Sequence, residues 1–437
     1  MRPDGPLLRG VKMHILRRLP RQNILAAPAA APHFLTAAPP PLLRLPALRL
    51  LSTRGGKPPS RRPAPDHSRG ALFSKLKSCR SREQLDGIEA RLQPLRNTKE
   101  WDQLITAHAK VGNRARVLGM LDEMREAGCS PSVFSYNRLI TACRKFRQWE
   151  RALSLLDEMR EVGVAPNVIS FNAAISACEK GGQWKRALSL LGEMREAGVA
   201  PDVYSFSAAI SACEKGGEWE RALSLLGEMR EAGVAPNVIS FNAAISACEK
   251  GGEWERALSL LGEMREAGVA PNVISFNAAI LACAAADQPS LALETFEEAM
   301  ATIEPTAGTF NAVLDAVCTP QRAKARALWL QGVELGHYAK FETQERGVPK
   351  LDLHDLSEGA AETAVRWWLE ERVPAMSTPP KRLIIVTGWG KSRSALATGD
   401  VRGRTSRVLA DMGVATLPTD NPGRFVVDAE AWRAGCG

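Results

Sequence analysis

From residue 98 onward the apolar positions recur at helical spacing, and the whole pattern returns every 35 residues. In Val168–Asp202, Phe171, Ala174, Ile175 and Cys178 fall three or four apart, which predicts a helix with one apolar face. Gly181-Gly182 stops it. Trp184, Ala187, Leu188, Leu191 and Met194 resume the spacing and predict a second helix, which Gly198 ends and Pro201 keeps from continuing. Val203–Asn237 and Val238–Asn272 repeat this unit almost letter for letter. Val133–Asn167 and Thr98–Ser132 do so more loosely, and Val273–Thr306 and Ala307 to about Phe341 follow. About seven helical hairpins are predicted over 98–341, with 71–97 as a capping hairpin. One hairpin cannot cover its own apolar stripe, so the units stack into an all-α solenoid. After Phe341 the period disappears. Leu351–His354, Arg382–Thr387 and Arg424–Asp428 read as strands. A helix capped by Ser357 through Ala360, Ala364 and Trp367–Leu369, and another over Asp400–Met412, complete a small α/β domain at 347–437.

The recurrence also sorts residues that would otherwise invite chemistry. Trp149, Trp184, Trp219 and Trp254 lie 35 apart and are expected to pack between hairpins. Cys143, Cys178, Cys213, Cys248 and Cys283 lie 35 apart and are expected as small buried core residues. Neighbouring copies would sit about 10 Å apart, the helix-packing distance, which is too far for a disulfide. Nine cysteines in 437 residues, with no Cys-x-x-Cys pair, exclude a disulfide scaffold and a structural zinc site. No uncharged run is long enough for a transmembrane helix, so no membrane partner is expected.

The net charge of +9 suggests an anionic partner, but it is unevenly placed. Residues 1–70 hold 13 Lys and Arg, two acids (Asp4 and Asp66) and 13 of the 28 prolines. The rest of the chain is close to neutral. An Arg-rich, acid-poor leader of this kind reads as an organelle-targeting segment, and Arg49-Leu-Leu-Ser-Thr-Arg54 tilts the choice between mitochondrion and plastid toward the mitochondrion.

The pattern Ser-Phe-Asn-Ala-Ala-Ile-Ser-Ala-Cys…Trp-x-Arg-Ala-Leu-Ser-Leu-Leu-x-Glu-Met-Arg-Glu-Ala-Gly-Val-Ala-Pro-Asn/Asp resembles the pentatricopeptide repeat family over about 98–341. The resemblance implies a single-stranded organellar RNA partner, contacted at about one base per repeat. It assigns the second residue of each unit (Phe134, Ile169, Tyr204, Ile239) to packing on the base, and the fifth and last residues to reading its edge. The reading pairs are then Asn137/Asn167, Asn172/Asp202, Ser207/Asn237 and Asn242/Asn272, with an expected core of pyrimidine-U-A-pyrimidine. Asp102/Ser132 and Asn277/Thr306 depart from the family's common pairs. Val203–Asn237 and Val238–Asn272 differ only at Tyr204/Ile239 and Ser207/Asn242, the second and fifth positions. A retuned array would show that pattern, whereas neutral drift after duplication would scatter the changes.

Lys110, Lys145, Lys180, Lys215 and Lys250 recur near the end of each first helix, where each ammonium would face one phosphate or simply complement a helix C-terminus. Position 285 is alanine, and Val273–Thr306 carries five acids and no Lys or Arg, so contact should weaken there.

In the C-terminal region, Gly390-Lys391-Ser392 lacks the earlier glycine that a phosphate-binding P-loop needs. Leu-Asp-Leu-His at 351–354 with Thr-Gly-Trp-Gly-Lys at 387–391 instead resembles the small MutS-related (Smr) domain, although Asp355 stands where that family has Gly. Some Smr domains cleave nucleic acid. Asp352 and His354 would then be catalytic, His354 as general base or acid and Asp352 orienting it or binding Mg²⁺ or Mn²⁺. Gly388, Gly390, Lys391 and Arg393 would hold the phosphate. No metal site is assigned. The reading is an organellar, sequence-selective RNA-binding protein acting in processing, stabilisation or translation, with other RNA-processing proteins as candidate partners. The alternatives are a site-directed endoribonuclease and a helical protein-interaction scaffold. No His-x-Glu…Cys-x-x-Cys signature supports deamination.

Overall fold

The predicted break at Gly181-Gly182 is where the chain turns back on itself, with Gly182 in the left-handed region at φ 71°. A computed structural model describes residues 67–388 and 400–435. A leading hairpin is formed by α1 (His67–Ser78) and α2 (Arg82–Leu92). Seven more follow. They are α3 (Thr98–Val111) with α4 (Arg114–Glu126), α5 (Val133–Lys145) with α6 (Trp149–Glu161), and α7 (Val168–Lys180) with α8 (Trp184–Glu196). Next come α9 (Val203–Gly216) with α10 (Trp219–Glu231), α11 (Val238–Gly251) with α12 (Trp254–Glu266), α13 (Val273–Ala285) with α14 (Pro289–Thr302), and α15 (Ala307–Val317) with α16 (Arg322–Glu334). The first helix starts at His67, inside the segment assigned to targeting. Arg69 ties it down, donating to the Pro94 carbonyl at 2.9 Å and pairing with Glu100 at 2.7 Å. The remainder of the targeting segment, residues 1–66, lies outside the described residues. Among the described residues no helix is long and apolar enough to cross a membrane.

Each first helix packs on its own second helix and on the next first helix. Phe171, Phe206, Phe241, Phe276 and Phe310 fill equivalent, fully buried places, with Tyr136 in the same row. The five cysteines of the 35-residue row are fully buried free thiols. Burial pushes each of them up to about 11, so they are inert at neutral pH. The tryptophans sit on the next repeat. A Cβ at Gly181, Gly216 or Gly251 would lie 2.5, 2.3 or 2.4 Å from Cδ1 of Trp149, Trp184 or Trp219. A second seam crosses the outer helices. Arg125, Arg160, Arg195, Arg230 and Arg265 pair with Glu158, Glu193, Glu228, Glu263 and Glu298, the three middle pairs at 2.9, 2.9 and 2.7 Å. Arg160, Arg195 and Arg230 also lie 5.6, 5.7 and 5.6 Å from the ring centroids of Phe171, Phe206 and Phe241. Each ion pair is half-exposed and worth under about 1 kcal/mol, so the seam sets register more than it adds stability.

Gly192 sits mid-helix in α8 with nothing within 4 Å of the place its Cβ would occupy. Gly192→Ala is expected to raise stability by about 0.5–1 kcal/mol through helix propensity. Chemical denaturation of wild type and variant would measure the gain.

After α16 a five-stranded sheet forms from β1 (Glu342–Glu345), β2 (Val348–Asp352), β3 (Arg382–Val386), β4 (Thr416–Leu417) and β5 (Arg424–Asp428), in the order β1-β2-β3-β5-β4. Only β2 and β3 run parallel. The sheet begins at Glu342, ahead of the boundary expected at 347. Two of its strands were not foreseen because Glu-Thr-Gln-Glu and Thr-Leu carry no apolar alternation. Ser357 caps α17 (Glu358–Trp367) as expected, accepting from Ala360 N at 3.4 Å. A π turn over Trp368–Arg372, α18 (Val401–Asp411) and α19 (Ala429–Gly435) complete the region.

The α17 helix packs on α15 where an eighth first helix would stack. One apolar cluster runs from Ile280 in α13 through Trp329 in α16 to Val427 in β5, so the last repeats and the sheet share a core. Gly359 N donates to Asp315 Oδ1 at 2.7 Å, and Ser357 Oγ donates to the Asn311 carbonyl at 3.2 Å. Arg404 reaches Glu362 and Thr319 Oγ1 at 2.6 and 2.7 Å.

Candidate nucleic-acid interface

The last residue of each central repeat is the N-cap of the next first helix. Asn167, Asp202, Asn237 and Asn272 each accept backbone N–H groups two and three residues on through Oδ1, in capping boxes closed by Ser170, Ser205, Ser240 and Ser275. That fixes each cap side chain at the mouth of a first helix, where the fifth residue of its own repeat meets it. Asn137 Nδ2 donates to Asn167 Oδ1 at 3.3 Å, Asn172 to Asp202 at 3.0 Å, and Asn242 to Asn272 at 3.2 Å. Ser207 Oγ donates to Asn237 Oδ1 at 3.5 Å. All four pairs proposed from the sequence are therefore in contact. The next repeat's serine orients the asparagines: Ser170, Ser205 and Ser275 donate to Oδ1 of Asn137, Asn172 and Asn242 at 2.6, 2.5 and 2.5 Å. Beside the pairs stands an apolar row. Phe134, Ile169, Tyr204 and Ile239 are 57, 56, 66 and 54% exposed, and Ile274 continues the row. Large apolar side chains left open in register mark a contact surface.

The flanking repeats are built differently. Asp102 Oδ1 and Asn277 Oδ1 are buried without a hydrogen-bond partner, while Ser132 and Thr306 bond instead to Ser135 and Thr309. In the seventh repeat Asn311 is spent on docking. Its Nδ2 donates to the Asp355 carbonyl and its Oδ1 accepts from Tyr338 Oη, both at 3.0 Å.

The lysine row is more than the predicted line of open ammoniums. Lys215 and Lys250 reach back to Glu179 and Glu214 of the preceding repeat. Lys110 donates to the Lys77 carbonyl at 2.9 Å, and Lys145 donates to the Ala109 and Lys110 carbonyls at 2.8 Å each. Lys180 pairs with its neighbour Glu179 at 3.4 Å. Lys110, Lys145, Lys215 and Lys250 thus close seams between first helices, and Lys110, Lys145 and Lys180 also line a groove. Burial alone would raise the Glu179 carboxyl, but the hydrogen bond and charge of Lys215 hold it below the usual range. Glu249 would be served by position 285, which is Ala. Burial leaves its carboxyl raised, with Lys250 only partly compensating.

In the C-terminal region the strand stops at Asp352, so His354 does not share a strand face with it as the sequence suggested. The turn after β2 folds the imidazole back instead. Asp352 Oδ1 receives both the His354 backbone N–H at 3.2 Å and Nδ1 at 2.5 Å. Gly388 adopts φ 77°, and a Cβ there would lie 2.7 Å from His354 Cδ2. Asp352, His354 and Gly388 thus come together at the ends of two parallel strands, both titratable groups half-buried. Gly390, Lys391 and Arg393 lie outside the described residues. Asp352 is the carboxylate here that would hold Mg²⁺ or Mn²⁺ together with a substrate phosphate, and its Oδ1 is already bonded to His354.

Family models for the pentatricopeptide repeat domain match residues 96–145 and 189–251, those for the PPR repeat family match 131–180 and 236–285, and that for the PPR repeat matches 169–199. Residues 96–285 are pentatricopeptide repeats. No curated protein sequence matches the chain. Among solved structures, the pentatricopeptide repeat protein PPR10 from maize is 22% identical with a TM-score of 0.51, covering 79% of this chain and 48% of that one. PPR10 in complex with an 18-nt psaJ RNA element gives 18% and 0.41, covering 68% and 47%. The PPR domain of Arabidopsis thaliana protein-only RNase P 1 in complex with tRNA gives 19% and 0.36, covering 39% and 90%. The chain spans about half the length of PPR10. The likeness to maize PPR10 shows the solenoid fold.

Between the leading hairpin and the first matched pentatricopeptide repeat lies a cluster that sequence reasoning missed. Glu89 is held by fully buried His108 at 2.8 Å and by Arg116. Burial opposes its charge, yet hydrogen bonds from His108 and Arg116 pull its carboxyl down to about 2. Asp86 completes a set of ligand-type atoms within 4.8 Å of one another, but the Arg116 charge already occupies the site. The cluster locks the leading hairpin to the first pentatricopeptide repeat. Its members are 19 and 27 residues apart, outside the period, so no recurrence pointed to them.

Proposed function

We propose that the chain is a sequence-selective, single-stranded RNA-binding protein of an organelle that processes, stabilises or promotes translation of its target. The observation that carries this reading is the contact between fifth and last residues in four successive pentatricopeptide repeats. In Asn172/Asp202 the bonds already made leave one Nδ2–H and the second carboxylate oxygen outward, a donor beside an acceptor. That arrangement complements a uracil carbonyl and N3–H. In Asn137/Asn167 and Asn242/Asn272 the cap oxygen is used and its amide N–H groups remain, which suits a pyrimidine edge rich in acceptors. Ser207/Asn237 offers a hydroxyl oxygen beside an amide donor, which fits adenine N6–H and N1. The exposed apolar row supplies the stacking faces. The Arg-rich leader supports the organellar, mitochondrion-leaning placement.

The test is an oligonucleotide binding panel around the core C-U-A-C. Swapping the central U and A should weaken binding about thirtyfold, at roughly 1 kcal/mol for each mismatched hydrogen-bonding edge. Equal affinity for both sequences would refute the register.

A second reading, a site-directed endoribonuclease of Smr type, is supported by the Asp352–His354 hydrogen bond. Asp352 fixes the imidazole through Nδ1 and leaves Nε2 for proton transfer. The hydrogen bond between Asn311 and the Asp355 carbonyl seats that pair beside the seventh repeat, where the reading row ends.

A further inference from the structure

Charge along the groove is concentrated in one repeat. The sixth, twelfth and fifteenth residues of Val168–Asp202 are Ala173, Glu179 and Gly182, and the next two repeats carry the same residue types. In Val133–Asn167 these places hold Arg138, Arg144 and Arg147, and Lys145 adds a fourth cation. With Phe134 and Lys180 they line a groove of about 1120 Å³. The Arg138 guanidinium lies 4.8 Å over the exposed Phe134 ring, and Arg144, Lys145 and Arg147 are exposed. Among the described residues none of the four forms an ion pair with a carboxylate. Asp102 of the preceding repeat is the acid that faces Arg138. In the following repeats Glu179 and Glu214 neutralise Lys215 and Lys250. Arg147 also keeps a left-handed backbone, φ 56°, where Gly182, Gly217 and Gly252 have φ 71°, 74° and 76°. Asp287, at the same place in Val273–Thr306, does so as well, at φ 54°.

Resting on the RNA reading above, we propose that Val133–Asn167 is the phosphate anchor of the groove. Its cations grip the backbone of the bound single strand, and the three repeats that follow read bases with little electrostatic help. Binding then has two separable parts: a salt-sensitive grip at one end and a salt-insensitive reading of edges.

The test uses the full chain and a fluorescein-labelled RNA of about 20 nucleotides, C-U-A-C flanked by adenosines, titrated at several salt concentrations. The variant is R138A/R144Q/R147G, in which the Ala and Gly are the residues the neighbouring repeats already carry. The control, R186Q/R221Q/R256Q, removes the same three charges from exposed positions on α8, α10 and α12. The expected result is a salt slope lower by about two, at roughly 0.7 per lost phosphate contact, with affinity down about thirtyfold at 0.1 M salt. The control should lose no more than about threefold, and the thermal midpoint of the first variant should not fall below wild type. Equal losses in both variants, or an unchanged slope in the first, overturn the anchor while leaving RNA binding intact. A wild type that binds no RNA overturns the RNA reading and the anchor with it.

Discussion

Gly359→Ala should destabilise the protein by about 3 kcal/mol, although adding a methyl group to a helical glycine ordinarily stabilises by up to about 1 kcal/mol. The reversal of sign follows from what lies opposite. A Cβ at Gly359 would sit 2.5 Å from the Leu314 carbonyl oxygen and 2.6 Å from Asp315 Cα, both backbone atoms of α15. Neither can rotate away, so the α17 helix must lift. Lifting it strains the Gly359–Asp315 and Ser357–Asn311 hydrogen bonds and opens the apolar cluster shared by the last repeats and the sheet. Calorimetry should show the cooperative transition moved down or divided, and limited proteolysis should cut near residue 341. Gly192→Ala, the same chemical change at an open site, provides the contrast. A Gly359→Ala protein as stable as Gly192→Ala would show that α17 does not seat against α15 in solution.

On the nuclease reading, His354→Ala should reduce cleavage of a bound RNA by about 10²–10⁴-fold while leaving affinity unchanged, the usual range for loss of a general acid or base. The reaction open to this site is transesterification. Nε2 takes the proton of a ribose 2′-hydroxyl, the 2′ oxygen bonds to the adjacent phosphorus, and the bond from phosphorus to the 5′ oxygen breaks. The departing oxygen takes up a proton from water, and the imidazolium returns its own to the resulting hydroxide. Products of this route would carry a 2′,3′-cyclic phosphate and a 5′-hydroxyl, and inhibition by chelators would point instead to a divalent ion at Asp352. Asp352→Asn should give a smaller loss, because the imidazole keeps its proton acceptor but loses the carboxylate that orients it. Product analysis on the C-U-A-C oligonucleotide, with and without chelator, decides the matter. Failure of the wild type to cut, or equal cutting by His354→Ala, ends the nuclease reading.

The solenoid was legible because recurrence at 35 residues is a stronger signal than any local propensity, and the family resemblance then singled out the four pairs that the structure brings into contact. The partners of those pairs were not legible. Ser170, Ser205 and Ser275 read as unremarkable first-turn residues, yet they set which atom of each asparagine faces outward. The Arg–Glu seam was hidden for a related reason. Arg160 and Glu193 recur with everything else, but a charge on a helix surface looks solvated until the neighbouring repeat is placed beside it. In the C-terminal region Asp352 and His354 were found by motif, and a straight strand gave the wrong reason for their contact. A turn that only the sheet register fixes brings them together. Asn311 shows the opposite failure: it occupies a reading position in sequence, and the sheet domain claims it.

The seams in the middle of the array are interchangeable parts. Trp184 meets Gly216, Arg195 meets Glu228 and Lys215 meets Glu179. One repeat later, Trp219 meets Gly251, Arg230 meets Glu263 and Lys250 meets Glu214. If Val203–Asn237 were excised as a block, Trp184 would find Gly251, Arg195 would find Glu263, and Lys250 would find Glu179. A gene encoding such a chain can gain or lose whole units by unequal recombination without passing through a misfolded intermediate. On the RNA-binding proposal, each event would shorten or lengthen the bound stretch by about one nucleotide. The near-identity of these repeats therefore lets the array change length in whole steps with every seam between neighbours preserved.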